Sequence, residues 1–128
     1  MNHAALAYAR TQRETASKER ILVLLLEAAQ RHTRLAATAL EEGRDGDAVA
    51  SLTRAVDIVA ELHGTLDLAR APELCATLGE LYQFVSSKLL EACATKQVAS
   101  VREAERVLSP IVEGFAGAVE SLGSGGAR

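Results

Sequence analysis

Four stripes of apolar residues recur at three- and four-residue intervals along this chain, separated by polar breaks only a few residues long. The first is Ile21, Leu25, Ala28, His32, Leu35, Ala39, stopping at Glu41-Glu42-Gly43, where Gly43 suits a helix C-terminus. After Arg44-Asp45-Gly46-Asp47 a second runs Val49, Leu52, Val56, Val59, Leu62, Leu66, with Asp45 or Asp47 available to accept from its free N–H groups. Ala71-Pro72-Glu73 starts the third, because proline at a first helical position loses no hydrogen bond and glutamate suits the positive end of the dipole. That stripe is Leu74, Leu78, Leu81, Val85, Leu89, Ala92. Beyond Thr95-Lys96-Gln97 the fourth reads Val101, Ala104, Leu108, Ile111, Phe115, Ala118, Leu122. A period near 3.6 in every stripe predicts helices, and short connections make consecutive helices antiparallel neighbours. The expected fold is all-α, an antiparallel up-and-down four-helix bundle.

Ser17 is placed to cap the first helix, which makes residues 1–16 a mobile N-terminal segment, 17–122 the bundle and 123–128 a disordered tail. Pro110 interrupts the fourth stripe and predicts a kink or two shorter helices. Composition supports an all-α core: 48% of residues are hydrophobic, only 3% aromatic, and there is no Trp.

The net charge of −3 argues against nucleic acid as a partner. The longest apolar run falls well short of the roughly 20 residues that a membrane span needs, and the N-terminus lacks the pattern of a secretory signal. Cys75 and Cys93 stand 18 positions apart on one expected helix, about 27 Å at 1.5 Å per residue and far beyond disulfide reach. Free thiols fit a reducing cytoplasm.

Catalytic and metal-binding patterns are missing. None of His3, His32 and His63 follows an acidic residue by three positions, as paired-metal bundles require. Two cysteines without a suitably spaced histidine make no zinc site. Neither a Gly-x-Ser-x-Gly elbow nor a phosphate-cradling glycine loop occurs. The expectation is a non-enzymatic protein with no cofactor or metal, with His32 and His63 at the edges of their stripes.

One feature exceeds the needs of a small bundle. Ile21-Leu22-Val23-Leu24-Leu25-Leu26 is apolar on every side of a helix, whereas an amphipathic helix needs three or four apolar positions per two turns. Either both faces are covered within the fold, or one is kept for a partner. Tyr82, the lone tyrosine of the third stripe, reads more simply as core or boundary than as a contact residue.

Tyr8, Gln12, Thr15-Ala16-Ser17, the apolar run, Glu42-Gly43, Leu62-His63-Gly64-Thr65-Leu66-Asp67, Leu81-Tyr82-Gln83-Phe84 and Leu90-Glu91-Ala92 occur in an order and spacing that resemble the FliS family of flagellin-specific export chaperones, over roughly residues 8 to 119. The chain departs from that pattern at Arg13, Lys18, Phe84, Phe115 and Pro110. It also has Leu26-Glu27-Ala28-Ala29 where the family often ends its apolar run in Tyr-Asp-Gly-Ala. The resemblance implies a cytoplasmic chaperone that holds the C-terminal segment of flagellin and engages a flagellar export gate component, without nucleic acid or membrane insertion, as a monomer or weak homodimer. It implies client contacts at Tyr8, Gln12, Ile21, Leu24, Leu25, Leu66, Leu68, Leu81 and Tyr82. The competing expectation is a helical adaptor that homodimerises through an apolar helix face.

Overall fold

The computed structural model describes the backbone of residues 2–126 and the side chains of residues 2–120. Its four helices are α1 (His3–Glu41), α2 (Asp45–Gly64), α3 (Pro72–Thr95) and α4 (Val98–Gly126). Each packs against its neighbour in sequence, and α1 closes the ring against α4. The molecule is therefore an up-and-down four-helix bundle, all-α as the periodicity requires.

α1 begins fifteen residues earlier than a cap at Ser17 predicts: the Asn2 carboxamide accepts from the Ala4 and Ala5 amides at 3.0 and 3.4 Å. Ser17 lies inside the helix. No glycine or proline interrupts residues 3–16, and the alanines there favour helix strongly, so nothing stops the chain from coiling back to the first available cap. This lead is exposed almost throughout. The other end closes with Gly43 at a φ of 73°, its amide bonding Leu40 O at 3.2 Å while that of Arg44 bonds Ala39 O at 2.8 Å. This paired arrangement satisfies the last carbonyls, and its left-handed residue suits glycine.

Asp45 and Asp47 do not cap α2, whose N-cap is Arg44 with no side-chain cap bond. Both carboxylates instead occupy the first turn, favourable to the helix dipole, and the Arg44 guanidinium bridges Asp47 and Glu42 at 2.9 and 2.8 Å. Pro72 opens α3 at its first turn as expected, and Lys96, left-handed at a φ of 61°, ends it. α4 runs through Pro110 as one helix rather than two. Pro110 is exposed, so the carbonyl one turn earlier that loses its partner can turn to water. The expected tail boundary at 123 falls within α4; residues 127 and 128, and the Leu122 side chain, lie outside the described residues.

The core joins Leu26, Ala29, Ala36 and Ala37 of α1 to Leu52, Ala55, Val59 and Leu62 of α2, Leu78, Tyr82, Val85 and Leu89 of α3, and Val101, Ala104 and Leu108 of α4. Each fully buried leucine contributes about 1.5–3 kcal/mol. The expected α1 stripe sits one residue out of register, and the α3 stripe departs at two positions while its Leu78, Val85, Leu89 and Ala92 are buried as read. In α1 the buried line is Leu26, Ala29, Thr33, Ala36, while the expected Ile21 and Leu35 are 54% and 51% exposed. The apolar run satisfies either register, and alanines at 29, 36 and 37 let neighbouring helices approach closely. Thr33 is accommodated because its hydroxyl donates to Ala29 O at 2.7 Å. In the first half of α3, Cys75 and Tyr82 are buried in place of Leu74 and Leu81.

Polar links between helices are concentrated at the closed end of the bundle. Arg34 donates to Glu105 at 2.7 Å, Gln30 to Ser109 at 3.1 Å, and Arg102 pairs with Glu41, tying α1 to α4. Lys88 reaches Glu91 and Glu103 at 3.3 and 2.9 Å, tying α3 to α4.

Candidate functional site

Helix lengths create the site. At 1.5 Å per residue α1 is about 58 Å long and α2 about 30 Å, so the first half of α1 projects past the end of α2. The links at Gln30–Ser109 and Arg34–Glu105 set α4 antiparallel along α1, which carries the end of α4 alongside the projecting half. The connection from Thr65 to Ala71 crosses this end of the molecule, making turns of its own: Arg70 N bonds Asp67 O at 3.2 Å, and the Cys75 thiol donates to Asp67 O at 3.2 Å.

Three grooves meet around that connection. One of about 440 Å³ lies between α1 at Lys18, Ile21, Leu22 and Leu25 and the connection at Thr65 and Arg70. A second, about 400 Å³, lies between Gln12, Thr15 and Glu19 of α1, Val119 of α4 and the same Arg70. On the far side of the connection, His63, Leu66, Leu68, Cys75, Gly79 and Gln83 enclose about 330 Å³ between α2 and α3. A β-carbon at Gly79 would meet His63 Nε2 at 3.6 Å and Leu66 Cδ1 at 3.7 Å, so the glycine keeps this groove deep.

The expected contact residues divide. Ile21 and Leu25 line the first groove, Gln12 the second, and Leu66 and Leu68 the third. Tyr8 is exposed one turn before Gln12, whose amide donates to the Tyr8 hydroxyl at 3.0 Å. Leu24 is 65% exposed on α1 but borders none of the three. Leu81 is half-buried against the core. Tyr82 belongs to the core at 1% exposure, and a surface role for it is corrected: the rotation of α3 that brings Cys75 inward also turns this ring inside. Burial, and then the neighbouring Cys75, push its phenol above the usual tyrosine range.

Arg70, Thr65, Asp67 and Val119 were missed. The first three sit in a connection without periodicity, and Val119 continues the α4 stripe one position from the expected Ala118, which is exposed. The grooves mix apolar side chains with both signs of charge. Among the described residues no group of three or more His, Cys, Asp or Glu side chains could hold a metal ion, and no helix is long and apolar enough to cross a membrane. Such a surface is suited to holding an amphipathic segment.

Residues 1–122 match the family described as "Flagellar protein FliS". The chain belongs to the FliS family. A flagellar chaperone from bacteria, known by its crystal structure, superposes with a TM-score of 0.72, covering 81% of this chain and 85% of its own at 21% identity. That likeness is one of fold. No curated protein matches the sequence. FliS proteins are flagellar chaperones and not enzymes, and membership implies a flagellar protein as this chain's partner.

Proposed function

We infer that this FliS-family chain is a cytoplasmic export chaperone that binds the disordered C-terminal region of flagellin, keeps it from polymerising prematurely and hands it to a component of the flagellar export gate. The observation that carries this reading is the exposure of Ile21 and Leu68, two large apolar side chains, on grooves at either side of the Thr65–Ala71 connection. A segment without structure of its own can fold as it docks, setting apolar side chains at helical spacing into such grooves. Coupled folding of this kind buries about 1,000–3,000 Å² and gives back a few kcal/mol to chain ordering. Moderate affinity follows, which suits a client that must later be released.

Filament assembly tests the reading. Purified flagellin is induced to polymerise with and without an equimolar amount of the chaperone, and turbidity is followed. Suppression by the full chain, relieved by excess free C-terminal segment, is the expected result. Undiminished polymerisation beside a well-folded chaperone contradicts it, and self-association without flagellin binding favours the homodimerising adaptor.

A further inference from the structure

α4 changes character just after Pro110. Val101, Ala104 and Leu108 are fully buried, and Ile111 and Val112 still belong to the core; after Val112 no described side chain is buried, with Phe115 and Val119 half-covered and Ala118 exposed. The described hydrogen bonds and ion pairs between α1 and α4 stop at Ser109. Facing this stretch, α1 has no buried residue before Leu26. Pro110 itself removes one hydrogen bond from the helix. Then come Gly114 and Gly117, where an added β-carbon would meet nothing within 4 Å and where φ is not positive. Neither a close approach nor a left-handed turn calls for glycine at these two positions, so their effect is to weaken the helix.

We propose that α4 beyond Val112 is an arm that opens as a unit in the free protein, and that a client segment in the groove between Val119 and Gln12, Thr15 and Glu19 holds it closed. Opening separates Val119 from α1 and widens that groove for entry; docking then supplies the packing that the arm lacks by itself. The client-linked half rests on the chaperone reading above, whereas the opening of the free arm does not.

Amide hydrogen exchange on the full chain tests both halves. In the free protein, amides of residues 113–120 exchange at one common rate, at least about 100-fold faster than those of Val101–Leu108 after correction for intrinsic rates. The double substitution Gly114→Ala and Gly117→Ala slows the arm by roughly 20-fold and leaves Val101–Leu108 unchanged. Equal protection on both sides of Val112, a rate that rises smoothly toward the terminus as in simple fraying, or indifference to the alanines overturns the arm. Saturation with the flagellin C-terminal segment slows the arm at least tenfold. A segment that binds in a parallel titration yet leaves these amides unchanged overturns the client-linked half. A segment that fails to bind removes that half together with the chaperone reading, while the free-protein rates still decide the arm.

Discussion

The Tyr82 ring lies 6.4 Å from the His63 imidazole, centroid to centroid, with the planes tilted at 55°. Tyr82 is buried and His63 exposed, so the pair stands where the core meets the groove that His63 lines. Tyr82→Ala should lower the unfolding free energy by about 3–5 kcal/mol, and His63→Ala by no more than about 1.5 kcal/mol, the scale of an aromatic pair. Because burial raises the Tyr82 pKa in the folded state, its contribution is complete below the unfolded value and is lost as pH rises through the folded one. Tyr82→Phe should therefore remove part of the alkaline destabilisation. Denaturant melts of the variants at neutral pH and near the tyrosine range check all three; equal alkaline loss in wild type and Tyr82→Phe contradicts the assignment.

The register of α1 gives a second prediction. Leu26 is fully buried and Leu35 is half out in solvent, although both belong to plausible stripes. Leu26→Ala should cost about 2–5 kcal/mol, and Leu35→Ala no more than about 0.5 kcal/mol. Comparable losses in thermal or denaturant melts would mean that the helix is rotated from the arrangement described.

His32 carries a pH dependence of known sign. Partial burial first, and then Arg31 and Arg54, hold its pKa below the ordinary 6.5. The unfolded chain thus takes up the proton more readily, so the contribution is complete above the unfolded value and is lost as pH falls through the folded one. Between about pH 7.5 and pH 5.5 the wild type should lose more stability than His32→Gln. Parallel loss in both proteins contradicts this.

Helix number, type and connections were legible because each stripe is long and each break contains a strong signal, such as Gly43, Pro72 or the Thr95-Lys96-Gln97 interval. Rotation was not: six successive apolar residues at Ile21–Leu26 leave two registers equally greasy, and only packing of Ala29, Ala36 and Ala37 against neighbouring helices selects one. The start of α1 was misplaced because Ser17 is a good cap in isolation, while Asn2 ahead of an uninterrupted alanine-rich stretch is an earlier one. In the candidate site, Ile21, Leu25, Leu66 and Leu68 were reached through the resemblance to the FliS family, since periodicity alone reads the first three as stripe members and does not single out Leu68. Arg70 was reached by neither, since its position depends on how the Thr65–Ala71 connection crosses α1.

Leu66 and Ile21 should behave differently when made acidic. Leu66 is half-buried against the core, whereas Ile21 stands mostly in solvent. Leu66→Asp should lower stability by about 1–3 kcal/mol along with any loss of client binding, since it desolvates a charge. Ile21→Asp should weaken binding while shifting stability by no more than about 0.5 kcal/mol. Melts paired with binding titrations distinguish the two, and equal destabilisation would return Ile21 to an ordinary packing role.

The most direct test of the central claim is isothermal titration of the purified chain with the C-terminal segment of its flagellin, at fixed salt and several temperatures, beside the double substitution Ile21→Asp and Leu68→Asp. The account predicts one-to-one binding at micromolar affinity or tighter, a clearly negative heat-capacity change, and at least about a tenfold loss in the variant. No binding heat at any temperature with the protein folded, or a variant that binds as tightly as the wild type, would contradict it.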